Sequence, residues 1–382
     1  MVYLDNSATS WPKPIDVPAA MAACLNRYGA NPGRSGHRMS MEVSAKVYDC
    51  RCAAAELFGL DDPARVIFTC NATEALNLAI KGMAAPGGHV IITSMEHNSV
   101  IRPLSALSDA GVEVSVAQAN IYGYVRPEAV RTLIRPNTCL IVMTHVSNVC
   151  GTVNPIREIG GLASAHNIPF LVDAAQSAGI LPIDMEQDHI SLLAAAGHKA
   201  LYGPQGTGLL CLGKGVLPRP LKEGGTGSYS ENLYQPQELP DRYESGTLNA
   251  VGICGLLEGL RFIRRVGQDA ILEHDLLLTK QFLEDLSVIR GVRVHGYLPL
   301  ANRIGVVSVT VDGADCVEVA ARLDEQYGIA CRAGFHCAFP AHQTLGTEKT
   351  GTVRLSIGAF NTPRQLKTAA RAIAEIAAGK AQ

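Results

Sequence analysis

Seven short apolar runs alternate with helix-forming segments between residues 66 and 212. The runs fall at 66–69, 90–93, 112–117, 140–144, 170–173, 191–196 and 208–212. Several are nearly continuous in Val, Ile and Leu, as strands covered on both faces are. The intervening segments 73–83, 99–110, 127–134 and 156–166 carry helix formers. That alternation predicts an α/β fold with a mostly parallel sheet wrapped by helices. In such sheets a ligand lies beyond the carboxyl ends of the strands, so polar residues just after each run carry the most weight.

The rest of the chain reads differently. A glycine-rich polar stretch at 221–249 predicts a long ordered loop, and such loops are usually functional. Helices are expected at 251–266 and 270–288, an alternating strand at 303–311 and a helix at 314–327. A loop at 331–351, a strand at 353–357 and a last helix at 363–378 complete a smaller α+β block. At 382 residues the chain has room for two domains and needs no covalent staples.

Composition removes several function classes. A formal net charge of −2 and 5% aromatic residues argue against a nucleic-acid footprint or base-stacking platform. The 11 cysteines include no CxxC pair, so neither a zinc ribbon nor a dithiol motif is written here, and no metal is expected. No apolar run approaches the roughly 20 residues of a membrane span. The N-terminus lacks the basic and apolar regions of a targeting segment. The expectation is a cytoplasmic protein in a reducing compartment, without membrane or nucleic-acid partners.

Gly197-His198-Lys199 follows the run at 191–196. A lysine at the end of a buried strand is neutral, paired, covalently used, or has already turned to solvent. Lysines of lowered pKa form Schiff bases with carbonyl compounds, pyridoxal 5'-phosphate (PLP) included. Asp173 ends the run at 170–173, and PLP needs a carboxylate against its pyridine nitrogen. A helix cap is the alternative for Asp173; beside Lys199 the cofactor role is favoured. Phe68-Thr69-Cys70-Asn71-Ala72-Thr73 is a strand, a tight polar turn and a helix start. It reads as a phosphate cradle at Ala72 and Thr73 or as a plain helix cap. His97 follows the run at 90–93, and His198 adjoins Lys199. Cys337 closes Arg332-Ala333-Gly334-Phe335-His336-Cys337, where a cation and a histidine make the setting of a reactive thiolate.

In this order the motifs resemble the class V aminotransferase family and, within it, the cysteine desulfurases. The likeness runs from Tyr3-Leu4-Asp5-Asn6-Ser7-Ala8-Thr9 to Phe360-Asn361-Thr362. The segment Arg332-Ala333-Gly334-Phe335-His336-Cys337-Ala338 is similar to that of the group II, SufS-type desulfurases, which are also like selenocysteine lyases. The resemblance implies fold type I of the PLP-dependent transferases, with a seven-stranded sheet. It implies a large domain at 15–257, a small one at 258–382, and residues 1–14 packed near the small domain. It makes Lys199 the Schiff-base lysine and Asp173 the partner of the pyridine nitrogen. Gln176 and Asn148 reach the ring hydroxyl and His97 lies over the ring. Thr73 and His198 hold the phosphate, with Thr247 contributed across a homodimer interface. Arg354, with Asn148, binds the substrate carboxylate, a task suited to its planar fork.

The implied catalysts are Lys199, Cys337 and His97, the last as acceptor of the substrate thiol proton. The implied reaction converts L-cysteine to alanine, with a persulfide on Cys337 for a sulfur-acceptor protein, as in iron–sulfur cluster assembly. L-Selenocysteine lyase and class V aminotransferase activity are the alternatives, and a non-catalytic PLP-binding scaffold has no use for Lys199, Arg354 and Cys337 together. Ala196 stands where many desulfurases place a Ser or Thr, and Phe335 where many SufS-type loops carry a second histidine.

Overall fold

A computed structural model describes residues 1–33, 35–296 and 299–379. A short strand β1 (Val2–Tyr3) leads into helix α1 (Asp16–Ala23), which runs on through a π-helical turn at Cys24–Tyr28, and then into α2 (Arg38–Leu57). The alternating region follows as β2 (Val66–Thr69), α3 (Ala72–Met83), β3 (His89–Thr93), α4 (Asn98–Asp109), β4 (Glu113–Ala117), α5 (Pro127–Arg131), β5 (Thr138–Thr144), α6 (Ile156–Ala165), β6 (Phe170–Asp173), β7 (Leu192–Ala196) and β8 (Gly208–Leu212). These strands form one seven-stranded sheet in the order β2-β8-β7-β6-β5-β3-β4. All neighbours are parallel except β8, which is antiparallel to both β2 and β7. Every residue of β3, β6, β7 and β8 is buried, which is why those runs are apolar without alternation.

Beyond the polar loop come α7 (Ala250–Val266), α8 (Gln268–Ser287), β9 (Val292–His295), β10 (Val306–Val311), α9 (Cys316–Tyr327), β11 (Ile329–Ala330), β12 (Arg332–Gly334), α10 (Phe339–Leu345), β13 (Thr352–Ser356) and α11 (Pro363–Ala378). A four-stranded antiparallel sheet runs β12-β13-β10-β9, and β1 pairs in parallel with β11.

Three expectations need correction. Residues 331–351 are not all loop, because β12 and α10 lie within them. Pro340 sits in the first turn of α10, where its missing N–H is not needed, and Gly346 ends the helix at a left-handed φ of 71°. The helix expected at 127–134 stops at Arg131. Strand β9 was not expected; four residues alternating Val-Arg-Val-His behind Gly291 are too few to register as a period.

Packing here carries a pH signature. Burial pulls His97, His145, His198, His295 and His342 down to about 4, and His336 to about 2. These rings fold neutral, whereas the unfolded chain protonates them below about pH 6.5. Their contribution to stability is complete above that pH and lost as pH falls. Burial raises Glu96 to about 8 and Asp275 to about 7, which works the opposite way. Burial also lowers His89 and raises Asp173 and Glu244, so seven rings stand against four carboxyls, and stability should fall between pH 6.5 and 4.5. Urea midpoints across that window check this; a flat or rising profile contradicts it.

Candidate active site

The carboxyl ends of β3, β5, β6 and β7 meet at one edge of the large sheet. Thr144 is in register with Asp173, and Asp173 with Ala194. The residues just beyond these ends line a cavity of about 190 Å³. Ala72, Thr73, His97, Asn148, Asp173, Gln176, His198 and Lys199, scattered in sequence, all line it. Thr247 does not line it and is exposed.

Asp173 is buried and accepts the Ala175 N–H at 2.9 Å. Burial raises its pKa, opposed by that N–H and by Lys199. Lys199 is drawn down to about 8, chiefly by burial; Arg354 and Arg332 push the same way, while Asp173 and Cys337 oppose. Asn71 caps α3 by accepting the Glu74 N–H at 2.9 Å, which leaves the first N–H groups of the helix, at Ala72 and Thr73, facing the cavity. His198 Nδ1 is buried without a partner. Gln176 donates from Nε2 to the Ser7 carbonyl at 3.1 Å.

His97 caps α4: its Nδ1 accepts the Ser99 N–H at 3.1 Å and lies 2.9 Å from Ser99 Oγ. Burial, then Lys199, hold the ring at about 4, so it is neutral near pH 7. A neutral ring whose Nδ1 accepts carries its proton on Nε2. In this form the ring offers a donor at Nε2.

The second sheet supplies the other wall. Arg332 on β12 is directly opposite Arg354 on β13, a pair of like charges that an anion between them stabilises. Arg354 is 1% exposed. It donates to Asp5 Oδ1 at 2.8 Å and to the Asn148 carbonyl at 3.0 Å, while Nε is buried without a partner. Cys337 is exposed, with Arg332 Nη2 at 3.6 Å from Sγ. His336 and Cys337 are both left-handed, at φ 49° and 59°, a strained pair for residues with a Cβ. Two hydrogen bonds, one from the cavity wall and one from the start of α4, hold the strain. Asn148 Nδ2 donates to the His336 carbonyl at 2.7 Å, and Asn98 N–H to the Cys337 carbonyl at 2.7 Å. His336 itself is buried against Thr352 Oγ1 at 3.0 Å and neutral. Arg332 is therefore the cation at the thiol.

Sequence reasoning missed Asp5, Glu96 and Ser99. Asp5 holds Arg354, and Glu96 is fully buried, bridging Thr93 Oγ1 at 2.5 Å and the Thr144 N–H at 3.0 Å. Its place before His97, after a strand run, was the available signal; Ser99 left none.

The chain matches the sequence profile described as aminotransferase class-V over residues 2–368. The chain belongs to the class V aminotransferase family. Among similar class V proteins, a probable cysteine desulfurase of Methanothermobacter thermautotrophicus is 34% identical over 98% of this chain and 94% of its own length. The apo structure of a cysteine desulfurase from Thermococcus onnurineus NA1 superposes with a TM-score of 0.92 at 32% identity, covering 99% of this chain and 95% of that one. The cysteine desulfurase CsdA (S-sulfonic acid) from Escherichia coli gives 0.89 at 25% identity, with 99% and 94% covered. The architecture is fold type I, and class V members use PLP. The residues present fit that cofactor: an unpartnered buried His198 Nδ1, the free N–H groups at the start of α3, a buried carboxylate, and a lysine of lowered pKa.

The loop that carries Thr247 is anchored from beneath. Glu244 forms a buried two-pronged ion pair with Arg51 and accepts the Phe68 N–H at 2.6 Å; the Arg51 guanidinium lies 4.5 Å from the Phe68 ring centroid. Removing one partner leaves the other charge buried and alone, at a cost of about 3–5 kcal/mol. Glu244→Gln and Arg51→Met should each lower stability by that order, read from urea midpoints at constant slope. The double variant Arg51→Met, Glu244→Leu should recover most of the loss. Single losses below about 1 kcal/mol, the worth of an exposed pair, would show that the pair is not desolvated.

Proposed function

We propose that this chain is a PLP-dependent cysteine desulfurase that takes L-cysteine to L-alanine and collects the sulfur on Cys337 as a persulfide. The observation that carries the reading is the exposed Cys337, on a strained loop hydrogen-bonded to the cavity residue Asn148 and to the Asn98 N–H at the start of α4, beside His97. Transamination has no use for a thiol fixed there.

Thr73 and His198 would hold the cofactor's phosphate, with Thr247 of a second copy completing it in a homodimer. Asp173 would pair with the pyridine nitrogen, Gln176 and Asn148 would bind the ring hydroxyl, and His97 would pack on the ring. When bound, PLP supplies an electron sink for the substrate Cα. Arg354 takes the substrate carboxylate, starting from its free Nε. Lys199 Nζ, easily deprotonated near pH 8, takes the Cα proton. Cys337 Sγ attacks the substrate sulfur. The S–S bond forms as the C–S bond breaks, and the released electron pair takes a proton to complete the alanine methyl group. In sum, cysteine and the Cys337 thiol give alanine and the Cys337 persulfide, with no external oxidant. A thiol on an acceptor protein then takes the sulfur.

Among the described residues no helix is long and apolar enough to cross a membrane, and no cluster could hold a metal. All 11 cysteines are free, which supports a cytoplasmic site of action. The test is incubation with L-cysteine and a reductant while alanine and sulfide are assayed together. Equal yields of the two are expected. Pyruvate-dependent turnover without sulfide would replace this reading with an aminotransferase.

A further inference from the structure

We infer that Ser99 couples the phosphate cradle to His97, its single hydroxyl proton being shared between Thr73 and the imidazole. This rests on the PLP reading above.

Ser99 is 7% exposed and lines the cavity between the two groups. Its Oγ lies 2.7 Å from Thr73 Oγ1 and 2.9 Å from His97 Nδ1. Its own N–H also reaches Nδ1, at 3.1 Å, so Nδ1 accepts and carries no proton. The only hydrogen that can lie between Ser99 Oγ and Nδ1 is therefore the Ser99 hydroxyl hydrogen.

Each hydroxyl has one hydrogen to give. With no phosphate on Thr73, the chain is satisfied in one direction: Thr73 O–H donates to Ser99 Oγ, and Ser99 O–H donates to His97 Nδ1. A phosphate accepts only, so Thr73 must turn its hydrogen toward it. The 2.7 Å line to Ser99 then needs a hydrogen from the other end. Two oxygens at that distance with no hydrogen between them repel. Ser99 rotates to donate to Thr73, and Nδ1 keeps only the backbone N–H. The ring stays in place because that N–H is fixed at the start of α4, but it loses one of two donors. Occupancy of the phosphate site thus sets the hydrogen bonding, and with it the basicity, of the histidine at the ring face. Ser99 is a positioning residue in this scheme.

The experiment loads 15N-histidine-labelled protein with PLP or with pyridoxal, which has the same aldehyde for Lys199 and no phosphate. In the wild type, His97 Nδ1 should resonate at the position of a less hydrogen-bonded nitrogen with PLP than with pyridoxal. Ser99→Ala should abolish that difference, and Ser99→Thr, which keeps a hydroxyl, should restore it. A difference that persists in Ser99→Ala, or one absent from the wild type, overturns the inference while leaving the cofactor site standing. Thr73→Val separates the two failures. If it leaves PLP affinity and the 31P resonance of bound PLP unchanged, the phosphate lies elsewhere, and both the cradle reading and the coupling fall.

Discussion

Cys337→Ser should retain PLP and lose alanine formation from L-cysteine by roughly 10³-fold or more, the scale of removing a nucleophile. Cofactor binding does not use the thiol: none of the cradle contacts at Thr73, Asp173 or His198 involves it. Sulfur transfer does, because a serine hydroxyl stays protonated near neutral pH and is a weak nucleophile without a neighbouring base. The structure separates Cys337 from its rivals. Cys331, six residues earlier, is pushed up to about 12, chiefly by burial and then by Asp5. Cys70 is exposed, but burial and the Glu74 carboxylate both raise its pKa. Cys331→Ser and Cys70→Ser should therefore keep most of the activity. Mass spectrometry after a cysteine pulse should place the added sulfur on the Cys337 peptide. Sulfur found only elsewhere, or full turnover in Cys337→Ser, would show that another group is the nucleophile.

The large sheet was legible because its inner strands are buried on both faces, so apolar runs and punctuation gave them nearly to the residue: 170–173 and 208–212 match β6 and β8. Lys199 and Asp173 were legible because a charge at the end of such a run has few uses. What could not be read were groups whose role depends on long-range pairing. Asp5 meets Arg354 only because β1 and Ser356 bring the chain start beside β13. The sequence places His336 next to Cys337 without showing where its ring points. Only the fold shows its ring turned inward to Thr352 and neutral, with the backbone around it left-handed. The donor character of His97 was equally hidden, since it follows from a cap made by its own nitrogen.

Lys199→Ala should lose the visible band of lysine-bound cofactor and all measurable turnover, a fall of more than about 10⁴-fold, since it removes both a covalent anchor and a proton acceptor. PLP should still associate through Thr73, His198 and Asp173, and be washed out by dialysis that leaves the wild type coloured. The outcome depends on whether a second lysine can substitute, and Lys13 is the one to consider. Burial lowers it, like Lys199, to about 8. Its Nζ, however, donates to the His198 carbonyl at 2.7 Å and to Ser10 Oγ at 2.8 Å, and it does not line the cavity. It braces the turn that carries His198 and Lys199 without reaching the cofactor. Lys13→Met should accordingly keep the band and slow turnover far less than Lys199→Ala does. A Lys199→Ala protein that keeps its colour after dialysis would mean that another amine holds the cofactor, and a peptide map of the borohydride-reduced protein would identify it.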